Sequence, residues 1–259
     1  EAKVIWDGKD KNDILVPTGT YTAKLSVTDG LSGGSINHTS TSALNITVTE
    51  WFKDQALDPN LAGAQQHPEV SGARVVWQDQ RNGNWDIYLK EIGAAASTNL
   101  TGNQADQIRP SISGNIVAWQ DQRNGNWDVY GYDLSTSLEF VISNDSGNQE
   151  RPVISGEWAA WQDDSAGNLD IYAYNLNTKE KISVTSHERD QMHPAISGNI
   201  LTWEDYRHGL GEIYKYDLTT KTEIRYTSNI YNQTLPVISG NTIAWTDERN
   251  SQRDIYFSD

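Results

Sequence analysis

Cysteine is absent from this chain of 259 residues. Thiol catalysis, disulfides, Cys-ligated zinc, iron–sulfur clusters and CxxCH haem attachment are thereby excluded. Clusters of positive charge are missing too. Asp and Glu outnumber Lys and Arg 35 to 20, for a net charge of −15. Such a surface repels a phosphate backbone and anionic lipid, so neither nucleic acid nor a lipid headgroup layer is an expected partner. No apolar run approaches the roughly 20 residues of a membrane helix, and with a mean hydropathy of −0.65 membrane insertion is not expected. Helical periodicity is also lacking. Phe occurs only 3 times, against 10 Trp and 12 Tyr, a bias that the repeat explains. The chain opens on Glu1 rather than Met and shows no signal-peptide pattern, so a processed or trimmed chain is expected.

What the chain does contain is a repeat. Pro68, Pro110, Pro152, Pro194 and Pro236 stand 42 residues apart, and each opens a phrase of the type Pro-x-Ile-Ser-Gly. Nine residues after each Pro comes Trp77, Trp119, Trp161, Trp203 or Trp245, and two further on Asp79, Asp121, Asp163, Asp205 or Asp247. Twenty after the Pro comes Tyr88, Tyr130, Tyr172, Tyr214 or Tyr256; three before it comes Gln65, Gln107, Gln149, Gln191 or Gln233. Each unit reads as four strands. The first runs through Pro-x-Ile-Ser. The second, as in Ile116–Trp119, is apolar on both faces and so belongs between two sheets. A hairpin signal at 121–126 leads into a third strand at Trp127–Tyr132, and a polar fourth strand follows at Leu138–Ser143.

A four-stranded unit of 42 residues is the size of a propeller blade. The expected fold is all-β: a five-bladed β-propeller over residues 50–259, preceded by a partial Ig-like β-sandwich module over 1–49. Five units need 210 residues and Pro68–Asp259 supplies 192. Residues 50–67 are therefore expected to give the outermost strand of the fifth blade and close the ring, a larger ring completed past 259 being the alternative. In the N-terminal part Lys3–Trp6, Thr20–Thr28 and Leu44–Thr49 alternate like half-exposed strands.

The phrase from Pro110 to Tyr130, PSISGNIVAWQDQRNGNWDVY, closely resembles the TolB-like β-propeller repeats of cell-surface proteins, notably those of methanogenic archaea. The N-terminal Trp6-Asp7-Gly8-Lys9-Asp10 and Val16-Pro17-Thr18-Gly19-Thr20-Tyr21 look like the Ig-like module of flagellar hook-capping proteins, a type that with polycystic-kidney-disease-type modules adjoins such propellers. The resemblance implies an extracellular or cell-surface location and a binding or structural role, without an assigned activity.

Because Trp, Asp and Tyr recur in every unit, they read as structural, whereas a catalytic centre needs one asymmetric constellation. The functional candidates are the positions where the repeat varies. His67, Arg109, Arg151, His193 and Leu235 precede the five prolines. They gather basic groups at one mouth of the channel, either paired with the Asp that ends a neighbouring strand or free to take an anion or acidic sugar. Metal binding by His67 and His193 is disfavoured by their separation of three blades. Trp85 and Trp127 occupy hairpin tips where other units have Leu169, Gly211 and Arg253, and are candidates for stacking on glycan rings. Asp7, Asp10, Asn12 and Asp13 form an oxygen-rich loop, a solvated turn or a Ca²⁺ holder lacking the EF-hand spacing; no other cofactor is expected. Asn37, Asn45, Asn99, Asn144 and Asn232 head glycosylation sequons. The innermost strands offer one carboxylate, Glu69, beside Ser111, Val153, Ala195 and Val237. One carboxylate is no acid–base pair, so an enzyme is not expected. The partners expected are a protein, a second copy of the chain, or surface glycans.

Overall fold

The computed structural model describes residues 19–27, 40–48, 56–58 and 62–259. They fall in two compact units, Glu1–Ala56 and Leu57–Asp259. In the first unit, β1 (Gly19–Val27) pairs antiparallel with β2 (Ser40–Val48), from Gly19 opposite Val48 to Val27 opposite Ser40. Lys3–Trp6 and the oxygen-rich loop of Asp7, Asp10, Asn12 and Asp13 lie outside the described residues.

The second unit is a succession of antiparallel sheets, each made of strands consecutive in sequence. The first comprises β3 (Gln65–Ser71), β4 (Arg74–Asp79), β5 (Asp86–Glu91) and β6 (Thr98–Asn99). The second comprises β7 (Gln107–Ser113), β8 (Ile116–Asp121), β9 (Asp128–Asp133) and β10 (Leu138–Ser143). The third holds β11 (Gln149–Ser155), β12 (Trp158–Asp163), β13 (Asp170–Asn175) and β14 (Lys181–Ser183). The fourth holds β15 (Gln191–Ser197), β16 (Ile200–Asp205), β17 (Glu212–Asp217) and β18 (Thr222–Arg225). The fifth has three strands, β19 (Gln233–Ser239), β20 (Thr242–Asp247) and β21 (Asp254–Ser258). This is the all-β propeller architecture expected from the 42-residue repeat.

The described residues show no fourth strand beside β21. Ile255 and Phe257 are 75% and 71% exposed there, whereas Ile87, Val129, Ile171 and Ile213, at the position of Ile255 in the other sheets, are fully buried. Among the described residues, closure by residues 50–67 is not seen. Of that segment, 50–55 and 59–61 lie outside the described residues. Leu57 and Asp58 lie against the first sheet, where the Leu57 carbonyl and Asp58 carboxylate accept from Lys90 Nζ at 2.6 and 3.1 Å.

The core lies between sheets. Trp203, Tyr214 and Leu201 of the fourth sheet pack on Ala160, Ile171 and Ala173 of the third, and the other sheet pairs repeat the arrangement. Flat indoles on one face meet small or β-branched residues on the next, the alternation that close packing requires. Polar repeat residues then tie blade to blade. The amides of Gln107, Gln149, Gln191 and Gln233 donate to the carbonyls of Trp85, Trp127, Leu169 and Gly211 in the preceding blade at 2.6–2.8 Å. The hydroxyls of Ser71, Ser113, Ser155 and Ser197 accept from the amides of Gly114, Gly156, Gly198 and Gly240 in the following one.

Candidate functional site

Each first strand carries an irregularity at its proline. Pairing of β7 with β8 runs through Ile108, skips Arg109 and Pro110, and resumes at Ser111; the other four sheets do the same. Proline has no N–H for the ladder, so the strand bulges there. The bulge puts His67, Arg109, Arg151, His193 and Leu235 in the left-handed region, with φ of 51° to 54°. Side chains rarely adopt this conformation, and it costs of order 1–3 kcal/mol at each position. It is held by an inter-blade bond: the amides of Arg109, Arg151 and His193 donate to the Oε1 atoms of Gln78, Gln120 and Gln162 at 3.0–3.1 Å, and that of Leu235 to Glu204 Oε2 at 3.2 Å.

The five bulges surround one cavity of about 440 Å³. Its wall contains His67, Arg109, Arg151, His193 and Leu235 with the five prolines, Glu69, Ser111, Val153 and Val237. The structure thus brings together four of the sequence-predicted binding residues. His193 is tied through Nδ1 to Glu204. Arg109 and Arg151 make no side-chain hydrogen bond or ion pair among the described residues, so the expected alternative of pairing with a strand-ending Asp does not hold for them. Burial and the charge of Arg109 push the Arg151 guanidinium below its ordinary range, against the attraction of Glu150 and Glu204. Burial, with Arg109 and Arg151, likewise lowers His67. Burial pushes the Glu69 carboxyl up.

The strand-ending Asp residues are spent elsewhere. Trp119 Nε1 donates to Asp121 Oδ2 at 3.0 Å, and Arg123 reaches both carboxylate oxygens at 2.6–2.9 Å while its guanidinium lies 4.1 Å above the Tyr130 ring. Tyr130 in turn stacks on Trp119, with centroids 6.5 Å apart. Blades with Arg81, Arg207 and Arg249 repeat this. In the third blade Ser165 replaces the arginine, and Lys181 supplies the cation 4.6 Å from the Tyr172 ring. Across the hairpin, Asn124 and Asn126 donate to Asp128 at 2.6 and 3.0 Å. All these repeated groups serve the fold.

Trp85 and Trp127 are half-buried rather than free. In the fourth blade their position is Gly211, where an added Cβ would meet the Gln233 carbonyl and Thr234 side chain of the next blade at 3.1 Å; a tip side chain therefore abuts the following first strand. Of the sequon residues, Asn37 lies outside the described residues, Asn45 is on β2, and Asn144 is exposed after β10. Asn99 donates to the buried Asp86 at 3.0 Å, and Asn232 to Glu248 at 2.9 Å. Among the described residues no group of three or more His, Cys, Asp or Glu is placed to hold a metal ion.

No family model matches the chain, and no curated protein sequence matches it. Solved structures do. TolB from Acinetobacter baumannii aligns with TM-score 0.57 at 18% identity, covering 75% of this chain and 51% of that one. Oligogalacturonate lyase in complex with manganese aligns with TM-score 0.56 at 13% identity, over 72% of this chain and 59% of that one. A chain of the nidogen/laminin complex aligns with TM-score 0.53 at 10% identity, over 92% and 93%. The chain spans about half the length of the TolB structure. At these identities the likeness concerns architecture, and the fold of this chain is that of a TolB-like β-propeller.

Proposed function

We propose that this chain is a non-catalytic binding scaffold of the cell surface or extracellular space, with the axial mouth as its contact surface. One observation carries the reading. The repeated Trp, Asp, Arg, Tyr, Gln and Ser are consumed in holding blades together, while the mouth varies from blade to blade and holds two arginines that make no salt bridge or side-chain hydrogen bond among the described residues. Structural or adhesive assembly follows from such a scaffold, and the N-terminal unit serves as a joint to another subunit. In its favour, β1 and β2 pair only with each other among the described residues, and a two-stranded sheet is marginal in water. An Ig-like build and Ca²⁺ in the 7–13 loop belong to the same proposal. A lectin-like role is the second reading, favoured by the partial exposure of Trp85 and Trp127.

Against an enzyme stands the cavity itself, with Glu69 as its one carboxylate; glycoside hydrolysis needs two flanking the bond. The test uses the chemistry suggested by the lyase neighbour alongside hydrolysis of peptide nitroanilides. The purified chain is expected to release neither unsaturated products nor reducing ends from polygalacturonate, and no nitroaniline. Turnover that disappears in Glu69→Gln would overturn the non-catalytic reading.

A further inference from the structure

The five bulge positions share one backbone conformation but not one chemistry. Successive blades present His67, Arg109 and Arg151, then His193 with Glu204 bound to it, then Leu235. The guanidinium groups therefore occupy the second and third blades, with His67 beside them on the first, and the fifth blade is apolar. Leu235 and Val237 stand 51% and 61% exposed at the cavity wall, which the prolines extend. In contrast to the mouth pair, Arg74, Arg81, Arg123, Arg207, Arg225, Arg249 and Arg253 each pair with a carboxylate. Arg109 and Arg151 are instead two half-buried arginines without an ion pair among the described residues, at the wall of one cavity, in a chain of net charge −15.

We infer that the axial cavity takes an organic anion with an apolar body, its carboxylate held by Arg109 and Arg151 and its body laid on Leu235, Val237 and the proline walls. The inference rests on the mouth being the contact surface. Arginine offers a planar fork of donors that matches a carboxylate. The remaining wall offers few groups to a sugar's hydroxyls: Ser111, Glu69 and the histidines. About 440 Å³ lies in the range of small-molecule pockets.

The experiment is isothermal titration of the whole chain with four probes: 4-phenylbutyrate, its neutral amide, galacturonate and inorganic phosphate. Phenylbutyrate is expected to bind about tenfold or more tighter than each of the others, one charge-assisted contact being enough for that ratio. The Arg109→Gln/Arg151→Gln variant should lose about tenfold or more of that affinity, with thermal melting as the check on its fold. Leu235→Asn, at an exposed position, should weaken phenylbutyrate and leave galacturonate and phosphate unchanged. Equal binding of the amide would remove the anion. Equal binding of galacturonate or phosphate would remove the apolar body. Binding of none of the four would overturn the inference outright. The scaffold reading fails on a different result, turnover dependent on Glu69.

Discussion

Replacing Trp203 by alanine is expected to destabilise the propeller by about 3–5 kcal/mol, the range for emptying a large buried aromatic site. Trp203 is fully buried. Its ring stacks on Tyr214 with centroids 5.9 Å apart, packs on Ala160, Ile171 and Ala173 of the neighbouring sheet, and donates Nε1 to Asp205 at 3.0 Å. Two rigid sheets cannot collapse onto such a gap, which places the loss toward the upper end. Trp203→Phe keeps most of the ring and gives up the Nε1 donor, and Asp205 retains Arg207, so a cost of about 1–2 kcal/mol is expected. Trp127→Ala, at a half-exposed tip, should cost about 1 kcal/mol or less. Denaturant midpoints measured on the three variants separate these values. A Trp203→Ala protein as stable as Trp127→Ala would show that the repeated indoles do not hold the blades together.

Asp121→Ala is expected to cost a similar amount, about 3–5 kcal/mol, for a different reason. The carboxylate is fully buried and accepts from Trp119 Nε1, the Arg123 amide and the Arg123 guanidinium. Removing it leaves a buried indole N–H and a partly buried guanidinium without their acceptor. Arg123 keeps only Glu139, itself partly exposed. Asp121→Asn preserves an acceptor and should cost less, about 1–3 kcal/mol. The same motif sets the acid behaviour. The Arg249 side chain holds Asp247 down, from 3.8 to about 2. A carboxyl depressed in the folded state adds stability above its unfolded value and loses it as the pH falls through the folded one. That contribution is therefore present above pH 3.8 and disappears toward pH 2. Asp128 and Asp170 act in the opposite sense, because burial raises them. Arg249→Gln should accordingly flatten the loss of stability between pH 4 and pH 2, measured by denaturant unfolding at each pH.

Strands and repeat were legible because the blade obeys local rules. The stretch Leu138–Ser143 read from the sequence is β10 itself, and the hairpin signal at 121–126 joins β8 to β9. The mouth was legible as a set of residues gathered at one end of the channel, but not in its backbone conformation. Residues before proline disfavour helical backbone and are expected extended, so nothing local announces φ near +52° at Arg109. It belongs to the ladder bulge at Pro110 and is held by a hydrogen bond to Gln78, 31 residues away. The third blade shows a signal that was present but unread. Arg123 with Glu139 and Arg207 with Glu223 are replaced there by Ser165 with Lys181, the cation moving across the sheet to the same aromatic ring. Superposing the five units on their 42-residue period pairs these positions. The half-burial of Trp85 and Trp127 could not be read at all, since it depends on the next blade's first strand.

A binding mouth requires that its arginines be available while the repeated ones are not. Mass-spectrometric footprinting of the folded chain with phenylglyoxal measures this directly. Arg109 and Arg151 are expected to react well before Arg81, Arg123, Arg207 and Arg249, each of which is bound to a buried aspartate, and to be protected when 4-phenylbutyrate is present. Mouth arginines that react as slowly as those four, or that gain no protection from an anion the chain binds, would contradict it.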